Sequence, residues 1–181
     1  MTETPPDNSP VKLRKKFRIR QLVINLLALL LVLLVVRWFM QRDVISGPAP
    51  VLTGINIMNM QPINTANWRG EPYLIHIWAS WCRICRLEED SINRINENNR
   101  VITIAMQSGD DEDVSDYLKQ RGYSWLVLND EDGSLSSQFR IRGVPASFIV
   151  DQDGVIRFSE VGYTSGWGLR LRLWMAGLWL W

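Results

Sequence analysis

Ile77-Trp78-Ala79-Ser80-Trp81-Cys82-Arg83-Ile84-Cys85-Arg86 decides how the rest of this chain is read. It joins an apolar run, YLIHIWA at 73–79, to a segment where Ile84, Leu87, Ile92 and Ile95 recur among charged residues. The run has the length and continuity of a buried central strand. The segment has the spacing of an amphipathic helix over 82–98. Cys82 is thus expected to follow a strand and open a helix. A sulfur there faces unpaired backbone N–H groups and the positive end of the helix dipole, and both favour thiolate over thiol. Arg83 adds positive charge in the same direction. Cys85, one turn on, would lie beside Cys82 and could attack a mixed disulfide formed there.

These are the only two cysteines in 181 residues, too few for a disulfide framework or a closed zinc site. His76 is the only histidine, so the other half of a zinc site is missing. A structural disulfide closing so short a loop would staple very little. A Cys-x-x-Cys pair beside a βαβ pattern reads instead as a couple that cycles between dithiol and disulfide.

Further along, strands are expected over 101–106 and 125–128, and a helix over 114–120 behind Asp110-Asp111-Glu112-Asp113. That acidic run reads as a solvated helix start, and Asn129-Asp130-Glu131-Asp132-Gly133 as a turn. A short helix is expected over 134–139. Strands over 146–150 and 155–158 flank Asp151-Gln152-Asp153-Gly154, a hairpin signal. A terminal helix over 167–181 carries Trp167, Leu171, Trp174, Leu178 and Trp181 at spacings of fours and threes. Most of it is expected to cover the sheet; its apolar surface is wider than one packing face needs, so contact with a bilayer is a secondary reading. The order β-α-β-α-β-α-β-β-α implies an α/β domain with a parallel sheet and one antiparallel hairpin at its edge.

The charge is unevenly spread. Six basic residues and no acid lie between Lys12 and Arg20, followed by fifteen uncharged residues at 22–36 in which only Asn25 is strongly polar. From Val44 onward, twelve basic residues stand against sixteen acidic ones, a net −4. Residues 19–40 would reach about 33 Å, enough for a hydrocarbon core, with Arg20 and Arg37 snorkelling to the interfaces. Trp38 and Phe39 fall where an aromatic belt belongs. Bulky residues at 37–40 occupy the place where signal-peptide cleavage needs small ones. The expectation is therefore a basic cytoplasmic tail (1–20), an uncleaved anchor (21–40), a linker (41–50) and an exported domain (51–181). Six basic residues before the span against Arg37 and Arg42 after it put the N-terminus in the cytoplasm. The domain then lies where disulfides persist. A formal net charge of +1 gives no basic field for nucleic acid.

The segment 77–86 resembles the active-site stretch of the thioredoxin fold, in particular its membrane-anchored, TlpA-like branch of bacterial periplasmic disulfide oxidoreductases. Gly143-Val144-Pro145, followed by the strand at 146–150 and Asp151-x-x-Gly154, is a second stretch of likeness. The resemblance covers about residues 51–181. It implies a thioredoxin-like mixed sheet flanked by helices, tethered to the bacterial inner membrane by one N-terminal transmembrane helix. It implies a protein-disulfide oxidoreductase that needs no cofactor and no metal. Cys82 would be the nucleophile and Cys85 the resolving cysteine. Pro145 would be cis beside the dithiol, leaving the Val144 backbone free to pair with a substrate strand.

Trp81, Arg83, His76 and Glu88 are candidate tuning residues. His76 occupies the place of a buried acid in thioredoxins proper and reads as a core residue. Glu88, three residues after Cys85, matches an acid near the cysteines, or belongs to a solvated helix face. Asp90 stands where many relatives have a helix-kinking proline. The implied partners are periplasmic cysteine-containing proteins and a polytopic membrane thiol carrier that supplies electrons. Size and architecture are similar to proteins of this branch tied to suppression of copper sensitivity, which implies a link to copper tolerance. Two other readings stay open. One is a disulfide-forming oxidant, favoured by Arg83 because a stabilised thiolate makes the couple more oxidising. The other is a Cu(I) module using both thiolates; Met58, Met60, Met106 and His76 are also soft donors but read as core packing.

Overall fold

The computed structural model describes residues 10–178, in two compact units, Met1–Phe39 and Met40–Trp181. The first is helical. Helix α1 (Pro10–Gln41) contains Arg18–Val36, 19 residues long and apolar enough to cross a membrane. All of the side chains at 18–36 are exposed. Residues 10–20 of the expected basic tail continue this helix. Residues 1–9 of the tail and 179–181 of the expected terminal helix lie outside the described residues.

The second unit contains β1 (Gly47–Pro48), β2 (Thr53–Ile55), β3 (Pro62–Asn64), β4 (Tyr73–Trp78), α2 (Glu89–Asn96), β5 (Arg100–Met106), α3 (Asp111–Gln120), β6 (Val127–Asp130), α4 (Ser134–Ser137), β7 (Ala146–Val150), β8 (Val155–Val161) and α5 (Gly166–Leu178). Six strands form one mixed sheet in the order β1-β8-β7-β4-β5-β6, and β2 and β3 form a separate hairpin. β4 runs parallel to β5, and β5 to β6, while β7 and β8 are antiparallel to their neighbours. The β7–β8 hairpin, with β1 at its outer edge, thus makes up one side of β4.

All six residues of β4 are buried, which explains its unbroken apolar pattern. Leu74 and Trp78 enter a core with Cys82, Cys85, Ile92, Trp125 and Leu169. Ile75 and Ile77 enter the opposite core with Ile102, Ile104, Phe139 and Phe148. Alternation along one strand therefore feeds both layers.

Three expectations are corrected. Gly47 and Pro48, within the expected linker, pair with Ile156 and Val155 as an edge strand. Proline suits an edge because its missing N–H breaks no ladder bond there. The helix expected over 82–98 is interrupted: Cys85–Leu87 form a 3₁₀ turn and α2 begins at Glu89. The break lies at Glu88 (φ −100°, ψ −17°), whose carboxylate turns inward to accept the Thr164 N–H. β6 starts at Val127 rather than 125, because Trp125 is used as a buried ring, edge-on to Trp78 at 5.6 Å and stacked on Tyr123 at 4.9 Å. The β2–β3 hairpin was not expected. Buried Asn56 ties it to the sheet by accepting the N–H groups of Met58 (3.2 Å) and Val127 (3.1 Å).

The two acidic stretches serve helix starts. Asp110 and Asp113 bond each other's backbone N–H groups in a capping box at α3. Buried Asp130 accepts the N–H groups of Leu135 and Ser136, both at 2.8 Å, at the start of α4.

Ile104→Ala should lower the unfolding free energy by about 2–5 kcal/mol, and Asp110→Ala by about 1 kcal/mol. Denaturant unfolding of the full chain followed by tryptophan emission checks both values.

Candidate active site

Cys82 and Cys85 form a disulfide, their Cα atoms 5.3 Å apart. The chain leaves β4 through a turn closed by the Cys82 N–H on the Ala79 carbonyl at 3.1 Å. Cys82 is 7% exposed and Cys85 1%, so the first sulfur is the accessible one. Its Sγ accepts the Cys85 N–H at 3.1 Å and lies 3.6 Å from the Val144 carbonyl oxygen.

The sheet brings these distant residues together. Ile77 of β4 is opposite Ala146 of β7, so the turn after β4 meets the Val144–Pro145 peptide before β7. That peptide is cis. Among the described hydrogen bonds none takes up the Val144 N–H.

Neighbouring loops hold the turn in place. Trp81 Nε1–H donates to the Gln107 carbonyl at 2.9 Å, and the Ser80 N–H donates to Ser108 Oγ at 3.0 Å. Gln107 adopts the left-handed region (φ 46°) just after β5. Arg86 donates to the Ser80 carbonyl at 3.1 Å. Trp81, Ile84 and Leu87 are exposed and give the dithiol an apolar rim. Arg83 is also exposed, which leaves its charge screened by solvent.

Glu88 belongs to this region rather than to a solvated helix face. It is 1% exposed, and its N–H donates to the Cys85 carbonyl at 2.9 Å. One carboxylate oxygen accepts the Thr164 N–H, and the other is buried without a hydrogen-bond partner. Burial lifts its carboxyl from an ordinary 4.5 to about 7, against a lowering effect of the Thr164 N–H. His76 is buried in mid-β4, its Nδ1 3.0 Å from Ser147 Oγ on β7. Burial drops its pKa from 6.5 to about 3, so the ring is neutral at physiological pH.

The donors suggested for copper are not brought together. Met58 packs against one core and Met106 against the opposite one, while Met60 is exposed. Among the described residues no group of three or more His, Cys, Asp or Glu side chains could hold a metal ion. Thr164, Gln107 and Ser147 were not foreseen. Two of them act through backbone atoms, and Ser147 needs the β4–β7 register to be known, so residue type alone gave no signal.

An accessible sulfur with a second sulfur beside it is the arrangement that thiol–disulfide exchange requires. Comparison with known proteins agrees. The Redoxin family pattern matches residues 47–166. The chain is 30% identical over 166 residues to a thioredoxin-like protein of Haemophilus influenzae, covering 88% of this chain and 97% of that one. It is 31% identical over 147 residues to the thiol:disulfide interchange protein DsbE of Xylella fastidiosa, covering 77% and 74%. A thiol:disulfide interchange protein of the thioredoxin family from Chlorobium tepidum matches with TM-score 0.64 and 25% identity, over 74% of this chain and 98% of that one. The fold is thioredoxin-like and the protein is a disulfide oxidoreductase. It belongs to the Redoxin family and is similar to the thiol:disulfide interchange proteins within it.

The two buried titrating groups oppose each other in stability. The unfolded chain binds a proton on His76 below pH 6.5 that the folded chain refuses until about pH 3. The His76 contribution is therefore full above 6.5 and is lost as pH falls toward 3. Glu88 keeps a proton in the folded state between 4.5 and about 7 that the unfolded chain has released. Its contribution is full below 4.5 and is lost as pH rises through 7. Glu88→Gln should therefore unmask the His76 slope, so that stability rises more steeply with pH from 4.5 to 6.5 than in the parent. Urea midpoints across that window measure the difference, and superimposable profiles would contradict the assignment.

Proposed function

We propose that the protein is a membrane-tethered reductase of disulfides in exported proteins, with Cys82 attacking and Cys85 resolving. The observation that carries the reductive direction is the interrupted helix. Regular α-helix begins only at Glu89, so Cys82 sulfur receives one N–H, from Cys85, rather than a full helix terminus. A less stabilised thiolate makes a more reducing couple. Arg83, exposed to solvent, does little to reverse this.

In the reduced protein the Cys82 thiolate attacks one sulfur of a substrate disulfide. The substrate S–S bond breaks, a mixed disulfide forms, and one substrate thiolate leaves. Cys85 then loses its proton and attacks the Cys82 sulfur, releasing the second substrate thiolate and closing the Cys82–Cys85 disulfide. Glu88, one turn from Cys85 and with a pKa of about 7, is suited to accept that proton. Val144 offers its N–H to the substrate backbone, Pro145 keeps the peptide beside the sulfur, and Trp81 supplies apolar rim.

The substrates are periplasmic cysteine-containing proteins. Electrons return through a polytopic thiol carrier of the membrane, which reduces the disulfide and prepares the next cycle. Residues 21–40 act as an inner-membrane anchor, with the basic N-terminus in the cytoplasm and 51–181 in the periplasm. A connection with copper tolerance runs, in this reading, through disulfides that copper oxidation introduces into exported proteins. His76 and the methionines are not placed to join the two thiolates as copper ligands, because His76 is bonded to Ser147 and the methionines lie apart.

The Cys85→Ala chain should accumulate mixed disulfides with exported proteins, visible on non-reducing gels and cleared by thiol. Cys82→Ala should accumulate none. Adducts with Cys82→Ala and none with Cys85→Ala would reverse the roles.

A further inference from the structure

Helix α5 has two apolar faces, and the sheet covers only one. Leu169, Leu173 and Ala176 are buried in the core shared with the cysteines. Trp167, Leu171, Trp174 and Leu178 form a second stripe, spaced by four, three and four, with Trp167 84% and Trp174 63% exposed. The helix contains Arg170 and Arg172 and no acid. Arg172 is paired with Glu160 at 2.8 Å.

Arg170 meets Arg94 of α2, donating to its carbonyl oxygen at 3.4 Å. Neither guanidinium is in an ion pair among those of the described residues. Both line an open cavity of about 550 Å³ with Asn98, Asn99 and Trp174, and both also line a smaller cleft beside Trp167. The two arginines thus sit between the two exposed tryptophans. Gly166 permits this arrangement, because a Cβ there would fall 2.8 Å from Ser91 Cβ on α2.

We propose that this face of α5 docks on the anionic phospholipid surface of the membrane that α1 crosses, an inference that rests on the tethered reading above. Indole rings settle at headgroup depth, and guanidinium groups bind phosphate oxygens in bidentate fashion. The region from Val44 onward is net −4, so an anionic surface repels most of the domain and selects its cationic, tryptophan-flanked face. α1 ends at Gln41 and β1 begins at Gly47. The intervening residues span about 20 Å at most, which keeps the domain at the bilayer.

The test uses the full chain carrying Trp38→Phe, which removes the tryptophan of α1. It is reconstituted in dibrominated phosphatidylcholine vesicles with or without about one third phosphatidylglycerol. Bromolipid should quench the remaining emission, and adding Trp167→Phe and Trp174→Phe should cut that quenching about twofold or more. Arg94→Gln with Arg170→Gln should cut it in the phosphatidylglycerol vesicles. Quenching untouched by the tryptophan pair overturns the docking face. If that pair instead breaks up an oligomer, the face belongs to a second copy. Quenching untouched by the arginine pair overturns the headgroup assignment. Carbonate extraction reads the tether separately: a chain that is extracted yet was quenched through Trp167 and Trp174 overturns the tethered reading and leaves the docking face standing.

Discussion

Strand β4 is bonded on both sides, in parallel to β5 and antiparallel to β7, and this double pairing creates the site. One partner delivers the loop with Gln107 and Ser108, which holds Trp81 and Ser80. The other delivers Val144 and Pro145 to the sulfur of Cys82. A slip of one residue in β4 would exchange Leu74 and Trp78 for Ile75 and Ile77 in the two cores and carry the cysteines away from Val144. Burial of both strand faces forbids that slip, so the packing that stabilises the domain also fixes the geometry of exchange.

What lies beneath the dithiol is as unusual as its own four residues. The break at Glu88 shortens the helix that would have supported the Cys82 thiolate and draws a carboxyl into the interior. That carboxyl sits near neutrality because water is excluded and only one N–H compensates for its charge. In the proposed cycle such a group would take the proton that Cys85 loses. His76 is different in kind. It is held neutral against Ser147, a polar core residue satisfied across the strands.

Much of this was legible in the chain, for identifiable reasons. The buried strand at 73–78 shows because both its faces are apolar. The dithiol shows because Cys-x-x-Cys at the end of such a strand has few other uses, and Pro145 only through the resemblance of residues 143–154 to the family's second motif. The interrupted helix was not legible, since Glu88 is an ordinary helix former and the N–H that draws it inward belongs to Thr164, 76 residues away. The short strands β1, β2 and β3, two or three residues each, are too brief to show a period. Asn56, which fixes the β2–β3 hairpin, looks in sequence like any loop asparagine. What escaped was set by long-range backbone partners, which no local pattern encodes.

The direction of electron flow is the centre of this account, and the reduction potential of the Cys82–Cys85 couple tests it most directly. The full chain would be equilibrated in glutathione buffers and its dithiol fraction read by alkylation. A single N–H on the Cys82 sulfur and a buried acid beside Cys85 predict a value near about −270 mV, in the range of thioredoxin. A value near about −120 mV would mean a strongly stabilised thiolate and a disulfide-forming oxidant, and would contradict the account.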